Sequence, residues 1–223
     1  MKYQNDEIGQ GMLFDESNNY QTMMEWEKPY MEALVDHLKP FGDVLEIGFG
    51  MAYSASQIQK YDIKSHTIIE NDPVVLERLR EWAKSQPHKV IVIEDSWANA
   101  LSYIGKFDTI FFDDAPDFNK DKEYDNRRLY AFYYSVLRNN VNVGARMTWF
   151  CFNSGYFIVH PKIEYTNNEF KIEIPDHCKY IPEHFRQRGI MFLPLIKFPY
   201  GTTDNIIPVA IDENFKSIIL GKN

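Results

Sequence analysis

"VLEIGFGMAYSA", residues Val44–Ala55, decides the fold. An apolar run passes through Glu46 into Gly48 and Gly50, and helix-compatible residues follow at once. Glycine accepts positive φ and brings no side chain, so a strand can turn sharply into a helix and a ligand can lie against the backbone. The first N–H groups of that helix lack intrahelical partners and can receive a phosphate or a carboxylate. The full dinucleotide fingerprint GxGxxG is absent, because Tyr53 stands where its third glycine would be, and no Walker A loop occurs.

Outward from this turn, strand and helix patterns alternate. Upstream, Met24, Met31, Leu34, Val35 and Leu38 recur at helical spacing, with Pro29 suited to a first turn. Downstream, Met51 to Tyr61 reads as a helix and "SHTIIE" as a strand ending at Glu70. Asp72 and Pro73 form an N-cap and first position for the amphipathic run that follows. "HKVIVIED", "FDTIFFDD" and "ARMTWFCF" read as further strands, the last preceded by the aromatic helix "LYAFYYSVLRN". "FKIEIP" and "GIMFLPLIKF" add two more. The alternation from residue 42 to about 150 predicts an α/β fold. Its sheet is mostly parallel and seven-stranded, with helices on both faces and an antiparallel addition at one edge. Residues 1–22 are polar and read as a mobile arm or flap ahead of a single domain, 23–223; Asp117 to Arg128 read as a charged loop.

Bulk properties narrow the function. A net charge of −8 repels a nucleic-acid backbone and suits a small or cationic partner. No apolar run reaches the ~18 residues a membrane helix requires, so no membrane partner is expected. Cys151 and Cys178 make no CxxC, and the six histidines show no ligand spacing, so reduced thiols, no metal and a cytoplasmic setting are expected. The same composition is compatible with a monomer or a homodimer.

Glu70 closes the second strand twenty residues beyond Gly50, where a carboxylate can accept from both ribose hydroxyls of an adenosine. Ser96 and Trp97 follow the third strand, where an adenine ring would lie. NAD and S-adenosylmethionine both fit a glycine turn with a ribose acid. "MEWEKPYM", "VLEIGFGMA", "IIE", "RLREWA" and "HKVI" together resemble guanidinoacetate N-methyltransferase, a Rossmann-like class I methyltransferase family. The resemblance is strongest over residues 23–113 and fades in the C-terminal third. It implies S-adenosylmethionine as cofactor. It implies cofactor contacts at Met23, Trp26, Met31, Glu46, Gly48, Phe49, Gly50 and Met51, and further along at Glu70, Asn71, Asp72, Ser96, Trp97 and Asp113. It places the substrate against Glu27, Asp113, Asp114, Thr148 and Trp149.

The implied chemistry needs acids. A guanidinium has a pKa above ~12 and is no nucleophile until it loses a proton. Carboxylates grip its planar fork and can accept that proton. Glu27 and Asp113 match the family's guanidine-binding acids, with Asp113 as the base. Asp114 stands where the family has Thr, and reads as a solvated acid or a third carboxylate for a more cationic substrate. Arg127, Arg128 and Arg146 are candidates for a substrate carboxylate, although surface arginines are ordinarily just solvated. The acceptor stays open between guanidinoacetate, free arginine or another guanidino metabolite, and a protein arginine. A fungal protein-arginine methyltransferase domain has a similar "GFGM" loop. A non-catalytic binding module is the third reading, and Gly48, Gly50, Glu70 and Asp113 speak against it.

Overall fold

The structure is a computed structural model that describes residues 1–17, 19–114, 127–152, 163–179 and 181–202. The first three strands, β1 (Lys2–Asn5), β2 (Gly11–Asp15) and β3 (Tyr20–Met24), form a separate antiparallel sheet in that order. A 3-10 turn over Glu25–Glu27 leads into α1 (Lys28–Leu38). The alternating part follows: β4 (Gly42–Ile47), α2 (Tyr53–Ile58), β5 (Ile63–Glu70), α3 (Pro73–Ala83), β6 (Val90–Glu94), α4 (Trp97–Ala100), β7 (Phe107–Phe112), α5 (Arg127–Asn139) and β8 (Val141–Trp149). Last come β9 (Glu164–Lys171), α6 (Glu183–Arg188) and β10 (Ile190–Phe198). The large sheet has seven strands in the order β6-β5-β4-β7-β8-β10-β9. The first five are parallel, and β10 runs antiparallel to both β8 and the edge strand β9.

Alternation along the strands explains the layers. Val44, Ile68 and Phe111 share one core with Leu34 and Val35 of α1, Ala55 and Ile58 of α2, and Leu76 and Leu79 of α3. Leu45, Ile69, Ile110, Phe112 and Met147 point the other way, onto Phe132, Val136 and Leu137 of α5. Successive side chains of a parallel strand are thus buried on both faces. Asp72 caps α3: its Oδ1 accepts from Val74 N at 2.9 Å and Val75 N at 3.1 Å, and Pro73 occupies the first turn as its spacing predicts. Asp72→Ala should lower stability by about 1 kcal/mol and Asp72→Asn by much less; urea midpoints check this.

Two expectations need correction, and over its described residues the arm expected at 1–22 carries the β1–β3 sheet. Met12, Leu13, Met23 and Met24 of β2 and β3 are buried in the same core as α1, and Tyr3 Oη donates to Gly50 O at 2.8 Å. Asp6 Oδ2 lies 2.9 Å from His177 Nε2, so β1–β3 are also fastened to the C-terminal third. The helix expected over Met51–Tyr61 is confined to Tyr53–Ile58, because Ala52 takes φ 66° before it. The strand expected at "FKIEIP" lies earlier, at Glu164–Lys171, since pairing with β10 ends at Lys171 opposite Ile190. Most of the charged Asp117–Arg128 loop is outside the described residues.

Candidate active site

After β4 the chain lays β5 and β6 on one side, then returns to lay β7 and β8 on the other. The order therefore switches between β4 and β7, and the crevice beyond their carboxyl ends is the ligand position of such sheets. Gly48 follows β4 and Asp113 follows β7 there. Gly48 has φ +80°, and a Cβ on it would lie 2.3 Å from Asp113 O. Gly48 N donates to Ile69 O and Asp113 N to Ile47 O, both at 3.0 Å, so the turn is knitted to both neighbouring strands. Gly50 has φ +50°, and its missing Cβ leaves room for Met23 Sδ, which would be 2.8 Å away. That sulfur also accepts from Met51 N at 3.2 Å.

Glu70 is held by backbone donors. Its Oε2 accepts from Phe49 N at 3.1 Å, and Oε1 from Asn71 N and Asp72 N at 2.8 and 2.9 Å. Burial outweighs these donors and holds its carboxyl above the usual range. Asp113 is pushed up to about 7, first by burial and then by the negative charges of Glu46, Asp114 and Glu70. A carboxyl that titrates near neutrality is a competent proton acceptor at physiological pH.

Glu27 is buried, and its Oε1 accepts from Met24 N at 2.6 Å, which braces the turn into α1. Its place follows from its neighbours. Met23 touches the Gly50 turn beyond β4, while Tyr30 accepts from Cys151 N at 2.9 Å beyond β8. Glu27 lies between these two anchors in the chain, and its charge bears on Tyr53 at the start of α2. Trp26 and Met31 are buried in the same core. Sequence reasoning missed Tyr30, whose fully buried hydroxyl also donates to Phe192 O at 2.6 Å; the "PYM" of Pro29–Met31 was its signal.

Other expected residues are engaged elsewhere. Ser96 caps α4, accepting from Asn99 N at 3.4 Å. Asp114 is not a solvated acid: its Oδ2 accepts from Trp97 Nε1 at 2.9 Å and from Arg128 Nε at 2.7 Å. This ion pair gives Arg128 a structural partner as well. Thr148 is fully buried and donates to Pro194 O at 2.5 Å, so its hydroxyl is used inside the sheet. Trp149 lies on the α5 side and stacks on Tyr165, centroids 6.1 Å apart. Arg146 donates to Leu38 O and Lys39 O at the end of α1 and lies over Phe41, away from the crevice. The side chain of Arg127 is outside the described residues.

A glycine turn, a ribose-position acid and a near-neutral carboxyl converge where β4 meets β7. The family model described as guanidinoacetate N-methyltransferase matches residues 18–186, most of the chain. This chain belongs to the guanidinoacetate N-methyltransferase family. Its curated relatives include protein arginine N-methyltransferase 2 of Candida glabrata, 35% identical over 106 residues, which are 45% of this chain and 26% of that protein. The match thus spans about a quarter of that relative's length. Among solved structures, TrmN from Thermus thermophilus aligns with a TM-score of 0.54 at 12% identity, over 79% of this chain and 49% of its own. Precorrin-6y C5,15-methyltransferase from Geobacter metallireducens aligns with a TM-score of 0.51 at 11% identity, over 83% and 93%. At such identities the likeness is one of fold.

S-adenosylmethionine is the cofactor that membership of this family brings with it. The residues present fit that cofactor. Glu46 is fully buried, with its Oε2 2.9 Å from His66 Nε2, so it lies within the core and not on the open crevice. Glu70 is pre-oriented for hydroxyl groups, and Gly48 and Gly50 keep the backbone between them bare.

Proposed function

We propose that this enzyme methylates a guanidino nitrogen of a small, guanidinoacetate-like molecule, the creatine-forming type of reaction. The observation that carries the reading is Asp113: a half-buried carboxyl at the switch point, beside the glycine turn, with its proton affinity raised to near neutrality. Gly48, Gly50 and Glu70 would hold S-adenosylmethionine, which would supply a methyl group on positively charged sulfur. The chain's own task is to hold a flat cation and take its proton. Asp113 accepts N–H bonds from the guanidinium and then carries away the proton that frees a nitrogen lone pair. Glu27, on the segment anchored by Met23 and Tyr30, forms the second wall of the clamp. Met23, Trp26 and the β1–β3 sheet cover the crevice and exclude water, and orientation within it contributes much of the rate.

Incubation with labelled cofactor and a panel of guanidines tests the proposal. Mass-identified N-methyl product from a small guanidino acid is expected. The acid limb of the kcat/KM profile should rise through about pH 7, where free Asp113 loses its proton. A profile flat from pH 5 to 9 would remove Asp113 as the base.

A second reading has its own support: the curated relatives are named as protein arginine methyltransferases. Label that enters cell proteins and ignores every small guanidine would favour it.

A further inference from the structure

β6 closes one side of the large sheet and pairs only with β5 among the described residues. Its outer edge is open, and its two ends fix which backbone groups face outward. Lys89 O accepts from His66 N at 2.8 Å, and Asp95 N donates to Glu70 O at 3.2 Å, so both turn toward β5. Backbone groups alternate along a strand. Ile91 and Ile93 therefore turn the same way, while Val90, Val92 and Glu94 aim their N–H and C=O groups outward. Sheet edges are ordinarily guarded by proline, an inward charge or a bulge. Val90–Ile93 carry none of these: the run is wholly branched aliphatic, half-buried, and in unbroken register with β5.

Charges of opposite sign flank the run, His88 and Lys89 before it, Glu94 and Asp95 after it. An antiparallel copy of such a strand meets its own complement. A twofold axis normal to the sheet keeps each face on its own side, so a residue opposes only residues of its own face. With the axis at Val92, Val92 meets its own copy and Val90 meets Glu94, which satisfies every outward group; an axis at Val90 or Glu94 leaves part of the strand unmatched. The same register sets Ile91 against Ile93, and the exposed Lys89 against Asp95, at the positions where opposed side chains come closest. Asp95 is ready for a cation. Asn99 Nδ2 and Tyr103 Oη donate to it at 3.0 and 2.9 Å and hold its carboxyl below the usual range. Tyr103 beside it is 61% exposed. Glu94, on the other face, is already paired with Arg80 of α3. We propose that β6 is the contact of a symmetric dimer: a second copy of this chain adds its own β6 antiparallel about Val92, and two seven-stranded sheets run on as one.

The dimer does not depend on which acceptor is methylated. A single strand pair is a small contact, so its Kd should be roughly 1–100 µM. Sedimentation of the parent chain from about 1 to 500 µM should show a monomer–dimer equilibrium. Val92→Pro removes an outward N–H, leaves the β5 ladder whole and should weaken the dimer about tenfold or more. Lys89→Glu and Asp95→Lys each set like charges face to face at both ends of the contact, so each alone should stay monomeric. Mixed together, the two variant chains should form a heterodimer about as tight as the parent, because opposite charges then face each other at both ends. This rescue reads the register and gives the answer if Val92→Pro does not fold. A parent that stays monomeric overturns the proposal, as does a Val92→Pro chain that dimerises undiminished, or a mixture no tighter than its parts. Protection of the Val92 amide from exchange only on adding an unrelated extended peptide overturns it in favour of another chain's strand.

Discussion

Asp113→Asn should cut methyl transfer to a guanidine by roughly 10²–10⁴-fold, the usual worth of a positioned proton acceptor. The amide keeps the shape of the carboxylate but can neither take the proton nor balance the cation. Cofactor affinity, measured calorimetrically, should stay within a few-fold, because the glycine turn and Glu70 are untouched. The same variant should gain stability at alkaline pH. The folded carboxyl keeps its proton to about 7 while the unfolded one releases it near 3.8, so the parent protein loses stability as pH rises between those values. Undamped, that difference is roughly 4 kcal/mol, and solvent contact at the half-buried group reduces it to on the order of 2 kcal/mol. Melting curves at pH 4 and pH 8 give the sign: Asn and Asp should be alike at the first and Asn more stable at the second. Turnover within tenfold of the parent would sink the assignment.

Gly48→Ala has the largest expected structural effect. At φ +80° the added methyl is strained, and at 2.3 Å from Asp113 O it has no room. The obstacle is backbone, so no side chain can rotate away. Strain and overpacking together should cost about 2–5 kcal/mol, or ~5–20 °C in Tm for a chain of this size. The forced movement falls between β4 and β7, so cofactor binding and turnover should collapse together. A variant melting within 2 °C of the parent would mean that the contact is loose.

These two sites were legible in the sequence because local rules fix them. A glycine between a buried strand and a helix, and an acid at the end of an alternating strand, each follow from short-range patterning. The β1–β3 sheet was not legible: its strands are mostly polar, and Met12, Leu13, Met23 and Met24 only acquire meaning once α1 is packed against them. Asp114 failed for a similar reason. Its ion-pair partner Arg128 stands fourteen residues on, and nothing in their spacing announces the pair. The Thr148 hydroxyl is claimed by Pro194 O, a contact made only when β10 docks beside β8 from far along the chain.

Tyr3 reaches Gly50 O and stacks beneath the guanidinium of Arg78, 4.5 Å from the ring centroid. A ribosome delivers Tyr3 first, and at ~5–20 residues per second Arg78 emerges roughly 4–15 s later. During translation the opening strands therefore have no surface to settle on, and their methionine-rich face waits in water or on a chaperone. Nascent-chain proteolysis should accordingly find the first twenty-four residues sensitive until α3 has cleared the exit tunnel.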